Sequence, residues 1–174
     1  IGFIGTLIKR KNVSAGLRVF KRFIEMPDTE GYRFVICGEG PEKSELESLS
    51  ASLGIEDRVD FISNLSKDEL LTLYNEMAVF ANTSMQEGLG LTALEAQACG
   101  TPVVFFKDAD IPENATRNHV SSENEEDFAK NMHRLVTDGD YRNSVTKKAS
   151  FGLSPEEYYD GLRRIYSEIA DSEL

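Results

Sequence analysis

The sequence has little of what extracellular or membrane proteins depend on. Its 174 residues include two cysteines, two histidines and no tryptophan, and two cysteines are too few for a disulfide scaffold. Cys37 and Cys99 both lie in apolar surroundings, so we expect reduced, packed thiols. No apolar run approaches the roughly 20 residues that span a bilayer, and no basic-then-apolar leader is seen. We therefore expect a cytoplasmic protein.

Basic residues are also scarce relative to acidic ones. Nineteen Lys and Arg stand against thirty Asp and Glu, which gives a net charge of −11. A surface this acidic opposes non-specific binding to nucleic acid or anionic lipid. The chain is 40% hydrophobic and long enough to bury a core, so it is expected to form one globular domain.

Short apolar segments alternate with amphipathic ones along the first two thirds of the chain. The former are typical of strands covered on both faces, and the latter repeat apolar residues with a period near 3.6. The expected strands are 1–5, 32–37, 58–62, 77–82 and 102–106, and the expected helices are 13–24, one beginning at Pro41, one opened by a capping box at 66–69, and 91–99. This alternation predicts an α/β fold, a Rossmann-like doubly wound parallel sheet with helices on both faces.

From about Glu123 onward the pattern predicts helices alone, at 127–136, 141–150 and 155–169. The chain opens inside an apolar strand, and we expect it to be part of a longer protein. The whole of 1–174 is then a single domain, with 154–171 as a closing helix.

The strongest functional signal is the segment from Gln86 to Ala96, QEGLGLTALEA. Glycines at 88 and 90 let the backbone approach a ligand and expose successive N–H groups at a helix N-terminus, where phosphate binds readily. Glu87 and Glu95 flank this turn, and carboxylates that hold vicinal hydroxyls are the usual means of binding ribose. A phosphate with a polyol at each end describes a nucleotide sugar.

Other candidate residues follow the ends of the neighbouring strands. The basic triplet Lys9-Arg10-Lys11 follows Gly5 and the first strand, and these cations could neutralise a diphosphate. The turn at 38–41, GEGP, fits equally a tight strand-to-helix turn and a ligand-facing loop. Ligands of such sheets lie beyond the carboxyl ends of the strands, where these segments meet.

Several motifs, in order, resemble the donor domain of a GT-B glycosyltransferase. They are GTLIKRK at 5–11, VICGEGP at 35–41, VDF at 59–61, SKDEL at 66–70, and EGLGLTALEAQACGTPVV at 87–104. The chain is most similar to the retaining group 1 (family 4) enzymes, whose donor domain carries a Glu-x7-Glu element. Glu87 and Glu95 have that spacing, and the resemblance spans nearly the whole chain.

The resemblance implies a role for each matching position. Glu87 would contact the donor sugar and Lys11 would offset the charge of the leaving diphosphate, so these two are the expected catalytic residues. Glu95 would hold the ribose. The remaining expected donor-binding residues are Gly5, Arg10, Gly38, Ile62, Ser63, Gly88, Leu89, Gly90 and Leu91.

The resemblance also implies a reaction that needs no metal or other cofactor. Asp108 and Asp110 resemble the metal-binding pair of the other large glycosyltransferase class, but they stand in a chain that matches the metal-independent class. His119 and His133 stand apart from other ligand types, so surface or packing roles are expected for them. The chain departs from the family at Thr6, where the family usually has an Arg that contacts the diphosphate.

The implied function is binding of a nucleotide-diphosphate sugar for glycosyl transfer to a glycan or lipid-linked acceptor, as in polysaccharide biosynthesis. An N-terminal acceptor domain, expected outside this chain, would supply any membrane contact, and the isolated domain would be inactive. The alternative is a non-catalytic GT-B module that binds or steers a partner transferase. Thr6 favours this alternative, whereas Glu87 and Glu95 oppose it.

Overall fold

A six-stranded parallel sheet forms the centre of the computed structural model, which describes residues 1–116 and 119–148. The strands are ordered β3-β2-β1-β4-β5-β6, and every pairing is parallel. Their bounds are β1 Gly2–Ile4, β2 Phe34–Cys37, β3 Val59–Ile62, β4 Phe80–Asn82, β5 Val103–Phe106 and β6 Val120–Ser122. The strand order reverses between β1 and β4, which makes their shared carboxyl edge the expected ligand site of such a sheet.

Seven α-helices connect and cover the strands within the described residues. They are α1 Val13–Ile24, α2 Lys43–Ser52, α3 Lys67–Glu76, α4 Leu91–Ala98, α5 Glu113–Thr116, α6 Glu125–Thr137 and α7 Gly139–Lys148. In these parts of the chain each helix is too short or too polar to cross a membrane. The expected closing helix at 154–171 lies outside the described residues.

Alternating strand residues face two separate apolar clusters, one on each side of the sheet. Ala81 and Val104 pack with buried residues of α1, α2 and α6, whereas Phe80 and Val103 pack with Tyr74 of α3 and with alanines of α4. Strands buried on both faces explain the nearly continuous apolar character of these segments. The predicted doubly wound sheet with helices on both faces is thus confirmed.

The local sequence accounts for two of the helices directly. The apolar positions of α1 include Leu17 and Phe20, which are fully buried, and the Phe20 ring lies 5.4 Å from that of Phe34 on β2. Helix α3 begins with the predicted capping box: Ser66 Oγ accepts from the Glu69 N–H, and the Glu69 carboxylate accepts from the Ser66 N–H. These contacts satisfy donors that a helix start otherwise leaves unpaired.

The prediction that a helix begins at Pro41 is wrong by two residues. Helix α2 begins at Lys43, and Pro41 and Glu42 form a turn. The Glu42 N–H donates to the carbonyl of Leu7 at 3.2 Å, so this turn is fixed to the loop after β1.

Two short elements were not predicted. Strand β6 pairs with β5, with Val120 opposite Val104, and α5 is a single helical turn. Two of the three residues of β6 are serines, a composition that gives little strand signal.

Candidate functional site

The loops that follow β1 and β4 are joined by direct hydrogen bonds at the point where the strand order reverses. The Met85 N–H donates to the carbonyl of Arg10, and Thr83 Oγ1 donates to the carbonyl of Lys11, both at 2.8 Å. Thr83 is fully buried beneath these loops. We refer to residues 5–12 and 83–95 together as the switch-point site.

Lys11 and Glu87 form an ion pair across the switch-point site. Lys11 Nζ lies 2.6 Å from Glu87 Oε1, and the two side chains are only 11% and 9% exposed. A nearly buried charged pair is held more rigidly than a surface pair and is screened less by salt. The sequence predicted both residues as site residues, and the structure brings them into contact.

The backbone around Glu87 is fixed by the loop after β5. The Glu87 N–H donates to the carbonyl of Asp110, and the Asp110 N–H donates to the carbonyl of Met85, both at 2.9 Å. These bonds extend the pairing of β4 and β5 beyond the strands as an isolated bridge between Gln86 and Asp110. Asp110 therefore positions the loop that carries Glu87, a role that the sequence did not predict.

The N-terminus of α4 is open at the front of this loop. Its N-cap residue, Gly90, has a left-handed backbone with φ +67°, and no side chain caps the helix. Within residues 1–116 and 119–148, no acceptor faces the N–H groups of residues 88–92. Exposed N–H donors at the positive end of a helix dipole form an anion site.

Two glycines of the switch-point site, Gly88 and Gly90, and the neighbouring Gly38 are needed for different structural reasons. A Cβ on Gly38 would collide with the carbonyl oxygen of Gly5, and a Cβ on Gly90 would come within 2.5 Å of the Ala115 Cβ. A Cβ on Gly88 would meet nothing within 4 Å. The packing of the chain explains Gly38 and Gly90, whereas Gly88 borders open space in front of α4.

Glu95 lies one turn into α4, and its carboxylate is exposed to solvent. Glu95 Oε2 accepts a 2.7 Å hydrogen bond from the hydroxyl of Tyr74, whose side chain is buried. Burial and the neighbouring carboxylate raise the pKa of Tyr74, so this phenol stays protonated and remains a donor. The sequence analysis did not predict this contact, which joins residues 21 positions apart in the chain.

The other cations of the basic triplet do not take part in this pair. Lys9 and Arg10 are exposed, and neither has a carboxylate within ion-pair distance in the described parts of the chain. Thr6 is also exposed at the same edge. Arg10, the one of these two predicted to bind the donor, is therefore available to an anionic ligand at this edge.

The predicted residues at the ends of β2 and β3 lie along the same edge, farther from Lys11. The Gly5 N–H donates to the carbonyl of Cys37 at 3.0 Å, and the Gly38 N–H donates to that of Ile62 at 2.8 Å. These bonds extend the ladders of the sheet beyond the strands. Ser63 follows Ile62, and its hydroxyl, together with Lys43, lowers the pKa of Glu39.

The side chains of the remaining titratable candidates do not take part in the Lys11–Glu87 pair. Asp110 Oδ2 accepts a long hydrogen bond of 3.4 Å from Gln86. His119 packs edge-on against Phe105, and His133 lies 2.9 Å from the carbonyl of Pro27. In the part of the chain that the structure describes, no three His, Cys, Asp or Glu side chains are grouped as metal ligands.

Comparison with known proteins gives one consistent result. The family profile described as "Glycosyl transferases group 1" matches residues 1–150. A D-inositol 3-phosphate glycosyltransferase of Corynebacterium jeikeium is 31% identical over 97% of this chain and 43% of its own length. The chain thus spans less than half the length of this curated relative.

Solved structures of low sequence identity share the fold. The C-terminal domain of a group 1 glycosyl transferase (LpcC) of Francisella tularensis has a TM-score of 0.73 at 23% identity, over 85% of this chain and 80% of that one. Anabaena HepE, solved in complex with UDP, has a TM-score of 0.72 at 20% identity, over 99% of this chain and 48% of its own.

Proposed function

Because the chain belongs to the group 1 glycosyltransferases, we propose that it binds the nucleotide-diphosphate sugar of a retaining glycosyl transfer. The donor lies at the switch-point site, and its diphosphate faces the N-terminus of α4.

One observation carries the proposal: the uncapped N-terminus of α4 lies in the same site as the Lys11–Glu87 pair. Backbone N–H groups of Gly88 to Leu91 bind the diphosphate oxygens, and the open space at Gly88 admits them. Lys11 adds the nearest side-chain cation. A diphosphate therefore competes with Glu87 for Lys11.

The two carboxylates then serve opposite ends of the donor. When the diphosphate engages Lys11, Glu87 is released toward the hydroxyls of the sugar. Glu95 accepts from the hydroxyls of the ribose. Gly5 and Arg10 border the diphosphate, and Gly38, Ile62 and Ser63 border the base at the ends of β2 and β3.

The proposed transfer breaks the bond between the anomeric carbon and the β-phosphate oxygen. The acceptor oxygen forms its new bond on the same face of the sugar, and the acceptor proton passes to the leaving phosphate. Lys11 and the N–H groups at α4 stabilise the charge that develops on that phosphate. No metal takes part, so binding and transfer persist in a chelator.

The acceptor is a glycan or a lipid-linked acceptor, and the residues that bind it belong to another domain of a longer protein. The relatives are more than twice as long as this chain. The 174-residue chain alone is therefore expected to bind the donor and to transfer no sugar.

Thr6 favours a second candidate function, a non-catalytic GT-B module that binds or steers a partner transferase. This residue is exposed and uncharged at a site that must hold a diphosphate. The two functions differ in nucleotide binding, because a module that only steers a partner need not retain its donor.

The test is calorimetric titration of the chain with UDP, GDP and ADP in the presence of EDTA. UDP comes first because the HepE structure contains it. We expect one nucleotide to bind selectively and Glu95→Ala to weaken it at least about fivefold, the loss of a charge-assisted hydrogen bond. Glu76→Ala, which removes an exposed carboxylate at the end of α3, is the matched control and leaves the affinity unchanged.

Absence of binding by a folded chain, up to millimolar nucleotide, would contradict the donor site and favour the steering module. Binding that Glu95→Ala and Glu76→Ala weaken equally would place the nucleotide elsewhere.

A further inference from the structure

Tyr74 and Glu95 depend on each other in an unusual way. The Tyr74 side chain is only 3% exposed, and a buried phenol hydroxyl without a partner is costly. Among the described residues its partner is Glu95 alone, at 2.7 Å. The exposed carboxylate thus satisfies the buried hydroxyl, and the buried ring restrains the exposed carboxylate.

Tyr74 is fixed both at its ring and at its backbone. Its ring packs against Phe80 of β4, with centroids 6.2 Å apart, in the apolar cluster between α3, α4 and the sheet. Its backbone carbonyl accepts a 2.7 Å hydrogen bond from the buried hydroxyl of Thr101. A side chain held this way gives its hydroxyl one position, so it can orient whatever it binds.

The hydrogen bond leaves half of the Glu95 carboxylate available. Tyr74 binds Oε2, and in residues 1–116 and 119–148 nothing binds Oε1. A free glutamate on a helix surface samples many rotamers, and ordering such a side chain on binding costs conformational entropy. Tyr74 removes part of that cost before a ligand arrives.

We propose that Tyr74 is a positioning residue, which holds Glu95 with Oε1 directed at the ribose hydroxyls of the donor and so sets the selectivity for ribose. This inference rests on the donor site proposed above. It adds a residue that need not touch the nucleotide and that acts through Glu95.

The experiment measures ribose selectivity, the ratio of dissociation constants for the 2′,3′-dideoxy form and the ribose form of the nucleoside diphosphate that binds. The variants are Tyr74→Phe, Glu95→Ala and Tyr32→Phe, the last of which removes a tyrosine hydroxyl at the amino end of β2. Each nucleotide is titrated into a separate portion of the same protein preparation. Any unfolded fraction then affects both measurements equally and cancels from the ratio of dissociation constants.

We expect Glu95→Ala to abolish the selectivity, Tyr74→Phe to lower it about two- to tenfold, and Tyr32→Phe to leave it unchanged. If Tyr74→Phe weakens both nucleotides equally or neither, Tyr74 has only a structural role and the inference is overturned. If Glu95→Ala itself leaves the ratio unchanged, the failure lies in the ribose contact of the proposed function.

A second measurement needs no variant. Carbon-13 relaxation of the glutamate side chains, in the chain without nucleotide, compares Glu95 with Glu76, which is exposed and without a side-chain partner in the described parts of the chain. We expect Glu95 to be the more rigid of the two. Equal mobility of the two side chains would overturn the positioning role.

Discussion

Lys11 and Glu87 neutralise each other in a site whose purpose, we propose, is to hold other charges. Lys11 Nζ and Glu87 Oε1 lie 2.6 Å apart with little exposure, so each charge compensates the other when no ligand is bound. An ion pair in this place keeps an unneutralised charge out of a nearly buried position. A ligand must therefore interact with Lys11 more strongly than the Glu87 carboxylate does, as a doubly charged diphosphate can.

Lys11→Met removes the ammonium group and keeps most of the apolar length of the side chain. Loss of a charged contact to phosphate should weaken a nucleoside diphosphate roughly ten- to hundredfold and the nucleoside much less. Titration calorimetry with both ligands measures the difference. Lys9→Met, in the same triplet but exposed, should change the diphosphate affinity only slightly, and equal losses in the two variants would contradict this assignment.

Asn12 links the 3-10 turn at Lys9–Lys11 to α1, and its backbone is left-handed with φ +49°. Asn is among the few residues that accept this conformation readily. The chain can therefore turn into α1 at this place without a glycine.

The turn between β4 and α4 contains two glycines with different expected responses to alanine. Gly90→Ala forces a left-handed alanine, which costs about 1–2 kcal/mol, and adds a contact of 2.5 Å with Ala115, so it should lower the free energy of unfolding. Gly88→Ala should leave stability nearly unchanged and weaken nucleotide binding, because its Cβ points into open space.

Urea unfolding and nucleotide titration of both glycine variants separate these effects. If Gly88→Ala is destabilised, or if it binds nucleotide normally, the ligand does not occupy open space in front of α4.

The capping box at the start of α3 supports a second comparison. Ser66→Ala removes the cap and should reduce the free energy of unfolding by about 1 kcal/mol. The matched control is Ser48→Ala on α2, which should cost little, because among the described residues its hydroxyl bonds only the carbonyl of Ser44 in its own helix. Urea unfolding measures the free energy of unfolding of the two variants. An equal decrease in both would mean that the capping box contributes no more to stability than the hydroxyl of Ser48 does.

Elements with strong local signals were predicted well, and elements that depend on distant contacts were not. Helix α1 has the predicted bounds because its apolar period is complete. Helix α2 starts late because Leu7, in another loop, fixes the turn before it. Strand β6 forms mainly because it pairs with the edge of β5. The sequence Val-Ser-Ser does not predict a strand by itself.

At the scale of the whole molecule, the sequence predicts that the candidate site residues follow strand ends at one edge of the sheet, but it does not predict which of them touch. The glycine turns and the two glutamates follow strand ends, and parallel strands bring such ends to one edge. Which of these residues touch was beyond the sequence, since Lys11 and Glu87 lie 76 positions apart. The roles of Tyr74 and Asp110 likewise depend on packing between elements.

One carboxylate of this acidic molecule, Asp60, leads to a prediction about how the stability of the fold depends on pH. Arg33 donates two hydrogen bonds to Asp60, at 2.6 and 2.7 Å, and lowers the pKa of that carboxyl below its usual value of 3.8. A carboxyl whose pKa is lowered by folding stabilises the protein above its unfolded pKa and stops doing so as the pH falls through its folded pKa.

Asp60→Asn should therefore lower the thermal midpoint at pH 7, and this difference should vanish as the pH falls below about 3.8. Melting curves between pH 7 and pH 3 measure it. Glu47→Gln, at an exposed carboxylate of α2 without an ion-pair partner in the described residues, is the control. A difference that stays constant with pH would show that Asp60 acts through something other than its charge.

The most direct test of the donor site is a proton–nitrogen NMR titration of the chain with the nucleoside diphosphate. The proposed site predicts that shifted amide signals concentrate in residues 5–11 and 86–95, with weaker changes near Gly38, Ile62 and Ser63 at the ends of β2 and β3. Saturable shifts confined to other parts of the molecule, or none up to millimolar nucleotide, would contradict the central claim that the donor binds where β1 and β4 meet.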